Sequence, residues 1–153
     1  MLTAQQIIDA TRKSHPQVYR NKGHVNVYSW SVKDWKAEDG TRVRTLRAKA
    51  RDTSKNRSGV THTIEIDYYG KSKNGGVYVT CDCAYFFFNC AWVLWEKDAS
   101  DKDSSYEDYG EAGWAPSITN PSSSPRACKH IIRALTANLH KLVPGAHKGR
   151  KVT

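Results

Sequence analysis

Two neighbouring stretches, VTHTIEIDYY at residues 60–69 and VYVTCDC at residues 77–83, decide the fold. In the first, a strict alternation puts the apolar and ring-bearing side chains on one side, which carries Val60, His62, Ile64, Ile66 and Tyr68. Such alternation is typical of a β-strand with one buried side. The turn signal Lys73-Asn74-Gly75-Gly76 separates the two stretches, so we predict an antiparallel hairpin.

The chain before this hairpin predicts two further strands. In residues 24–35, HVNVYSWSVKDW, one side of the alternation carries Val25, Val27 and Ser29. Residues 42–51, RVRTLRAKAR, form the next strand, and we expect its arginines to line one face. The turn signal Glu38-Asp39-Gly40 joins these two strands. The sheet is therefore expected to be an antiparallel meander of about four strands.

Three segments predict helices that flank this sheet. Residues 3–14 end at His15-Pro16, because the residue before a proline avoids helical angles. Residues 84–97 are apolar nearly all round and favour a buried helix, with a short strand at 84–88 as the alternative. The shared face of that helix carries Tyr85, Phe88, Trp92 and Trp95. Residues 127–141 form the final helix, so the fold class is α+β.

The length of 153 residues predicts a single domain, with a modest core since the mean hydropathy is −0.69. Within it we separate an N-terminal helix and sheet at 1–76 from a metal unit at 77–141. That unit contains a long polar insertion at 98–125, and a basic tail follows at 142–153. A connection of this length is unusual in a compact domain and is often bound to a partner.

The net charge of +9 is unevenly spread along the chain. Residues 1–80 hold 15 Lys and Arg against 7 Asp and Glu, a net +8. Residues 81–120 hold 2 against 8, a net −6, and residues 121–153 hold 7 against none, a net +7. This asymmetry favours a polyanion or an acidic protein surface as partner, and a merely solubilising surface is the alternative.

The cysteines are expected to lie in a reducing compartment. The N-terminal sequence MLTAQQIIDATRKS lacks the charged start and apolar run of a secretory signal, so we expect a chain that is not secreted by that route. No stretch approaches the roughly 20 apolar residues that a membrane span needs. The four cysteines are then better explained as ligands or thiols than as disulfides.

The most informative pattern is Cys81-Asp82-Cys83, then 44 residues, then Cys128-Lys129-His130. Zinc prefers four thiolate or imidazole ligands in a tetrahedron, and this pattern supplies them in two pairs. Cys81 and Cys83 end a predicted strand. Residues two apart inside a helix do not share a face, so Cys128 must lie in the turn that enters the final helix, with His130 in its first turn. We predict a structural zinc site.

Cys90 leaves a second metal hypothesis open. It is explained by burial as a small apolar residue, but Cys81, Cys83, Cys90 and Cys128 would also supply the four thiolates of an iron–sulfur cluster. His62 lies on the core side of its strand and is expected to be a satisfied core residue. No nucleotide loop or nucleophile motif is present, so we expect no catalysis and no small-molecule substrate.

A row of cations along the second strand is the candidate contact surface for a polyanion. The row consists of Arg42, Arg44, Arg47, Lys49 and Arg51, and the tail adds Lys148, Arg150 and Lys151. These residues are consistent with phosphate contact, with contact to an acidic neighbouring subunit, or with a solvated edge that resists aggregation.

The order C-x-C then C-x-H resembles the SWIM zinc-binding domain over residues 77–140. The resemblance implies a small ββα unit in which Cys81, Cys83, Cys128 and His130 bind zinc. It also implies contact with nucleic acid or with other proteins, and no catalysis. The insertion in this chain is longer than in a typical member.

A narrower resemblance covers residues 81–135. The runs CDCAYFFFNCAWVLW, ITNP at 118–121 and CKHIIRAL are similar to small proteins encoded by tailed bacteriophages, which carry a CDC…TNP…CKH pattern. That resemblance implies a virion component of the tail or baseplate, assembled in the host cytoplasm, with other subunits of the particle as partners. A SWIM-type nucleic-acid-binding module is the alternative.

Overall fold

A computed structural model of the chain describes residues 1–54, 59–72, 74–101, 120 and 122–143. Its centre is one antiparallel sheet of five strands in the order β1-β5-β4-β3-β2. The strands are β1 (Leu2–Thr3), β2 (Val25–Lys36), β3 (Arg42–Asp52), β4 (Thr61–Tyr69) and β5 (Gly76–Cys81). The predicted α+β meander is confirmed, and the short β1 is an additional strand that pairs with β5.

One side of the sheet is buried beneath the helices. In β4 the residues Ile64, Ile66 and Tyr68 are fully buried, and they lie opposite Ala48, Leu46 and Arg44 of β3. On the other side, the outer sheet face, the residues of β4 are only half-buried or exposed. The alternating pattern that predicted β4 therefore corresponds to a strand with one buried face.

A bulge in β2 changes which residues face the core. Val25 and Val27 pair with Asp52 and Ala50, as the alternation predicts, but the register shifts between Tyr28 and Ser31. Ser29 has a φ of +55° there, a conformation that a regular strand excludes. The prediction that Ser29 continues the face of Val25 is therefore wrong, because the inserted residue reverses the alternation beyond it.

The N-terminal helix begins and ends where the sequence predicts. Helix α1 (Ala4–Ser14) is closed by a capping box, in which the Gln6 N–H donates to Thr3 Oγ1 and the Thr3 N–H donates to Gln6 Oε1. Pro16 ends α1 but also opens a second helix, α2 (Pro16–Asn21), because its fixed φ suits the first helical position. A 3-10 turn at Lys22–His24 leads into β2.

The apolar segment after β5 forms two short helices, α3 (Ala84–Asn89) and α4 (Ala91–Glu96), instead of one. The break lies at Cys90, whose φ of −123° is not helical. The prediction that Tyr85, Phe88, Trp92 and Trp95 form the buried face is wrong, since all four are half-buried. The buried residues are instead Phe86, Cys90, Ala91, Val93 and Leu94.

The last helix packs across the sheet. It is divided at Asn138 into α5 (Lys129–Ala137) and α6 (Leu139–Leu142). Ile131, Ile132 and Leu135 of α5 are fully buried, and they belong to one hydrophobic cluster that also contains Ile7 and Leu94. Most of the predicted insertion, 102–119 and 121, and the tail from 144 onward lie outside the described residues.

Candidate metal centre

The four predicted ligands meet in one buried cluster. The Sγ atoms of Cys81, Cys83 and Cys128 and a ring nitrogen of His130 all lie within 4.8 Å of one another. The Cys81 Sγ is 3.8 Å from His130 Nδ1. Because zinc bonds thiolates at about 2.3 Å, ligand atoms on a tetrahedral ion stand roughly 3.5–4 Å apart. The cluster is therefore close to the size that such an ion requires.

Each pair of ligands is positioned by the end of one element and the start of the next. Cys81 is the last residue of β5, and Cys83 is the N-cap of α3, where its Sγ accepts a hydrogen bond from the Phe86 N–H at 3.4 Å. Cys128 is the N-cap of α5, and His130 is in its first turn. Two helix N-termini thus face the thiols, and their partial positive charge favours thiolates.

Ionisation of the thiols is shaped by their closeness. Hydrogen bonds with Cys128 and Cys81 hold the pKa of the Cys83 thiol well below its usual range. Burial and the neighbouring thiols raise the pKa of Cys128. The cluster therefore favours one thiolate but resists three, because three buried negative charges repel one another. A divalent cation removes that repulsion, so the cluster fits a metal ion.

The donor set fits zinc better than an iron–sulfur cluster. Three thiols and one imidazole form a common zinc ligand set. Cys90, the fourth thiol of the alternative hypothesis, is buried at the break between α3 and α4 and is not a member of the ligand group. Burial raises its pKa well above the usual range, as expected for a thiol in the apolar core.

Asp82, between the first two ligands, is linked to the histidine on the adjacent strand. The His62 Nδ1 lies 3.0 Å from Asp82 Oδ1, and the Thr63 N–H donates to the same oxygen at 3.1 Å. The His62 ring lies against the ring of His130, with 4.8 Å between the centroids. His62 is thus a satisfied residue that packs against a metal ligand.

Lys129, between the second two ligands, forms a buried ion pair with Asp52 at the end of β3. Burial raises the pKa of Asp52, but hydrogen bonds from Lys129 and Ser54 outweigh it and hold the pKa at about 2. The pair fixes the first turn of α5 to the sheet. Nothing in the local sequence indicates this pairing, because 76 residues separate the two partners.

Two polar side chains support the approach to Cys128 and were missed by sequence reasoning. Thr11 Oγ1 on α1 accepts from the Ala127 N–H at 3.0 Å. Buried Asn120 donates to the carbonyls of Asn89 at 2.9 Å and Ser124 at 2.8 Å. Asn120 is the described member of the ITNP run at 118–121, and it connects the end of α3 to the segment before Cys128.

A cavity of about 460 Å³ opens beside the cluster. Three of the ligands, Cys83, Cys128 and His130, contribute to its wall. His15 also lines the cavity, and its Nδ1 lies 2.5 Å from the Tyr85 hydroxyl oxygen. The cluster is therefore enclosed on the core side and approachable from the cavity.

The row of cations on β3 does not line one face, and this prediction is wrong. Arg44 lies on the helix-covered side, where its guanidinium makes two contacts with Asp34, at 2.7 and 3.0 Å. Arg42, two residues before Arg44, lies on the same side of the sheet. The opposite side, the outer sheet face, carries Arg47, Lys49 and Arg51. Arg47 is paired there with Glu65 at 3.1 Å. The cations change sides because Arg44 and Arg47 are three residues apart, and side chains three apart on a strand point to opposite faces. The tail cations Lys148, Arg150 and Lys151 lie outside the described residues.

No helix among the described residues is long and apolar enough to cross a membrane. Comparison of the chain with models of protein families, with curated proteins and with solved structures gives no match. The geometry shows a buried cluster of three cysteines and one histidine that could hold a metal ion.

Proposed function

We propose that this chain is a non-catalytic protein whose C-terminal half is organised by one zinc ion of the SWIM type. The observation that carries the proposal is the buried group formed by Cys81, Cys83, Cys128 and His130. Four protein ligands fill a tetrahedral shell, which leaves no open position for a substrate or an activated water. The zinc is therefore structural, although a cavity lies beside it.

The ion acts by joining two parts of the chain that are 47 residues apart in sequence, Cys81 and Cys128. One part is the end of the sheet, and the other is the start of α5, whose buried face completes the core. Zinc binding free energy thereby becomes folding free energy. The insertion between the two ligand pairs is held at both ends and is presented to partners.

The partners that we propose are other protein subunits of a tailed-bacteriophage particle, in its tail or baseplate. The support is the CDC…TNP…CKH pattern in the sequence. The edge strand β2 adds to it, because Val32 and Trp35 there are 46% and 38% exposed. Exposed apolar side chains on an unpaired strand edge favour contact between proteins. Under this proposal the chain is assembled in the host cytoplasm and resides in the virion.

The zinc proposal is tested by elemental analysis of the purified wild type, His130→Ala and Cys90→Ala. We expect one zinc per chain in the wild type and in Cys90→Ala, and loss of zinc in His130→Ala. Cobalt substitution should give the visible bands of a tetrahedral thiolate site, unchanged by added anions since no position is open. Iron with sulfide that disappears in Cys90→Ala, or the absence of any metal, would contradict the proposal.

The assembly proposal needs a separate measurement. Particles purified from an infected culture are disrupted, and the chain is quantified against a tail protein of known copy number. A fixed stoichiometric copy number is expected. Absence of the chain from particles, with normal expression in the cell, would reject the virion role and leave the zinc proposal intact.

The nucleic-acid-binding alternative loses part of its original basis. Arg42 and Arg44 lie on a different side of the sheet from Arg47. A polyanion cannot contact the whole row at once, so β3 alone does not support that function.

A further inference from the structure

The helical layer of the molecule carries a large excess of positive charge. This layer consists of α1, α2, the 3-10 turn, α5 and α6, with the connections at their ends. Residues 1–24 and 122–143, which contain it, hold eight Lys and Arg and a single acid, Asp9. The sequence alone does not show this concentration of positive charge, because the two segments that carry it are about a hundred residues apart.

Most of this charge is not neutralised within the described part of the chain. Arg12 pairs with Asp9 at 3.0 Å, and Lys129 pairs with Asp52. Arg126 is buried and does not belong to the surface. Among the described residues, no carboxylate forms an ion pair with the remaining five cations, which are Lys13, Arg20, Lys22, Arg133 and Lys141. We call these five residues the basic helical surface.

The helices that carry most of these cations pack against one another. Helix α5 contacts α1, α2 and the 3-10 turn, so Arg133 shares a layer with Lys13, Arg20 and Lys22. Helix α6 follows α5 directly and carries Lys141. The surface is therefore assembled from both ends of the described chain.

Two cations of the basic helical surface, Lys22 and Lys141, lie against aromatic rings. The Lys22 ammonium lies 4.5 Å from the centroid of the Tyr19 ring, and the Arg12 guanidinium lies 5.1 Å from the same ring. The Lys141 ammonium lies 5.0 Å from the Trp30 ring. Such contacts reduce the entropy that a long side chain loses on binding. Cations already occupy the Tyr19 and Trp30 rings. These rings therefore order the cations and do not form a stacking platform for bases.

The outer sheet face differs in its charge balance. Its cations Arg47, Lys49 and Arg51 share that face with Glu65 and Asp67 of β4. Arg47 and Glu65 neutralise each other at 3.1 Å. A phosphate backbone laid across this face would meet both signs of charge, whereas the helical layer carries a single acid, Asp9, which Arg12 pairs at 3.0 Å.

We propose that the basic helical surface binds the phosphate backbone of duplex nucleic acid without reading its sequence. Duplex DNA carries one negative charge per roughly 1.7 Å of its axis, a density that favours binding by several closely spaced cations through counterion release. An acidic protein segment has a lower and less regular charge density. This inference depends on charge and helix packing, and it goes beyond the proposed assembly role.

The test compares two double charge reversals by fluorescence anisotropy with a labelled DNA duplex of about 20 base pairs. One variant is Arg20→Glu/Lys22→Glu on the basic helical surface. The matched control is Lys49→Glu/Arg51→Glu on the outer sheet face. Both change the net charge equally, and each removes one cation that lies over a tyrosine, since Arg51 lies 6.0 Å from the Tyr28 ring centroid. Circular dichroism and zinc content must match the wild type in both.

We expect the helical variant to bind at least about tenfold more weakly than the wild type, with the salt slope of log K reduced by roughly 2. The control should lose no more than about threefold, the effect of net charge alone. Equal losses in both variants would overturn the proposal, because net charge would then explain them. So would a wild type that binds poly-glutamate but not DNA, or one that binds neither.

Discussion

The sheet and the candidate metal-binding half of this molecule are held together by different kinds of contact. Strands β2 to β5 are joined by successive hairpins, so each strand pairs with its neighbour in sequence. Among the described residues, the candidate metal-binding half consists of α3 to α6, none longer than 9 residues, and isolated helices of that length are unstable in water. The sheet therefore depends on local pairing, whereas the C-terminal half depends on a few distant side chains and, under the zinc proposal, on the metal.

The strongest way to separate the two halves is to remove the metal. Cys128→Ala removes one candidate ligand at the N-cap position of α5, and under the zinc proposal we expect loss of most of the roughly 10–16 kcal/mol apparent binding energy typical of structural zinc. Hydrogen exchange should show that protection collapses in α5 while the amides of β3 and β4 stay protected. Uniform loss of protection would mean that the sheet also requires the metal.

The buried ion pair should have the next largest effect. Lys129→Met leaves the Asp52 carboxylate buried without a partner, which typically costs about 3–5 kcal/mol of unfolding free energy. The pKa of Asp52 is held at about 2, below the unfolded value of 3.8, so the pair stabilises the fold above pH 4 and loses its effect as pH falls toward 2. Urea unfolding should therefore show the same deficit at every pH from 5 to 8. A deficit that shrinks within that range would contradict this assignment.

Asn120 sharpens the comparison, since its hydrogen bonds lie in the candidate metal-binding half. Asn120→Ala removes the two hydrogen bonds donated to the carbonyls of Asn89 and Ser124 and the one accepted from the Ser124 N–H, so we expect about 2 kcal/mol of destabilisation. Zinc release to a chelator should become faster as the segment before Cys128 loosens. Ser122→Ala, whose hydroxyl is a distant 3.5 Å from Asn120 Oδ1, is the control and should leave both quantities unchanged.

The smallest effect is expected on the outer sheet face. The Arg47–Glu65 pair is solvent-exposed, with 65% and 40% of the two side chains accessible. Glu65→Gln should change the unfolding free energy by less than about 0.5 kcal/mol, because water screens exposed pairs. Thermal unfolding with and without 0.5 M salt measures it. A larger loss of unfolding free energy that disappears in salt would show that the Arg47–Glu65 pair stabilises the fold more than its solvent exposure implies.

Sequence patterns predicted the strands and the four ligands because both depend on short spacings. The alternation Ile64, Ile66, Tyr68 and the pairs Cys81/Cys83 and Cys128/His130 each span only three to five residues. The sequence did not predict the bulge at Ser29 or the break at Cys90. Each is a change of backbone angle at one residue, and neither carries a glycine or proline signal.

Contacts between distant residues could not be predicted from periodicity. Asp52 with Lys129, and Thr11 with the Ala127 N–H, join positions that only the tertiary fold brings together. The basic helical surface has the same origin. Its cations lie far apart in sequence, on helices that become neighbours when α5 packs against α1 and α2.

The double position of Cys128, as candidate metal ligand and as the N-cap residue of α5, has a consequence for the order of events during synthesis. The ribosome delivers Cys81 and Cys83 more than forty residues before Cys128, when the strands of the meander have already emerged. A nascent chain can thus complete its hairpins while its metal site is half made. The last helix begins only when Cys128 arrives, so under the zinc proposal the supply of zinc would decide whether a newly made chain completes its fold or is degraded by proteases.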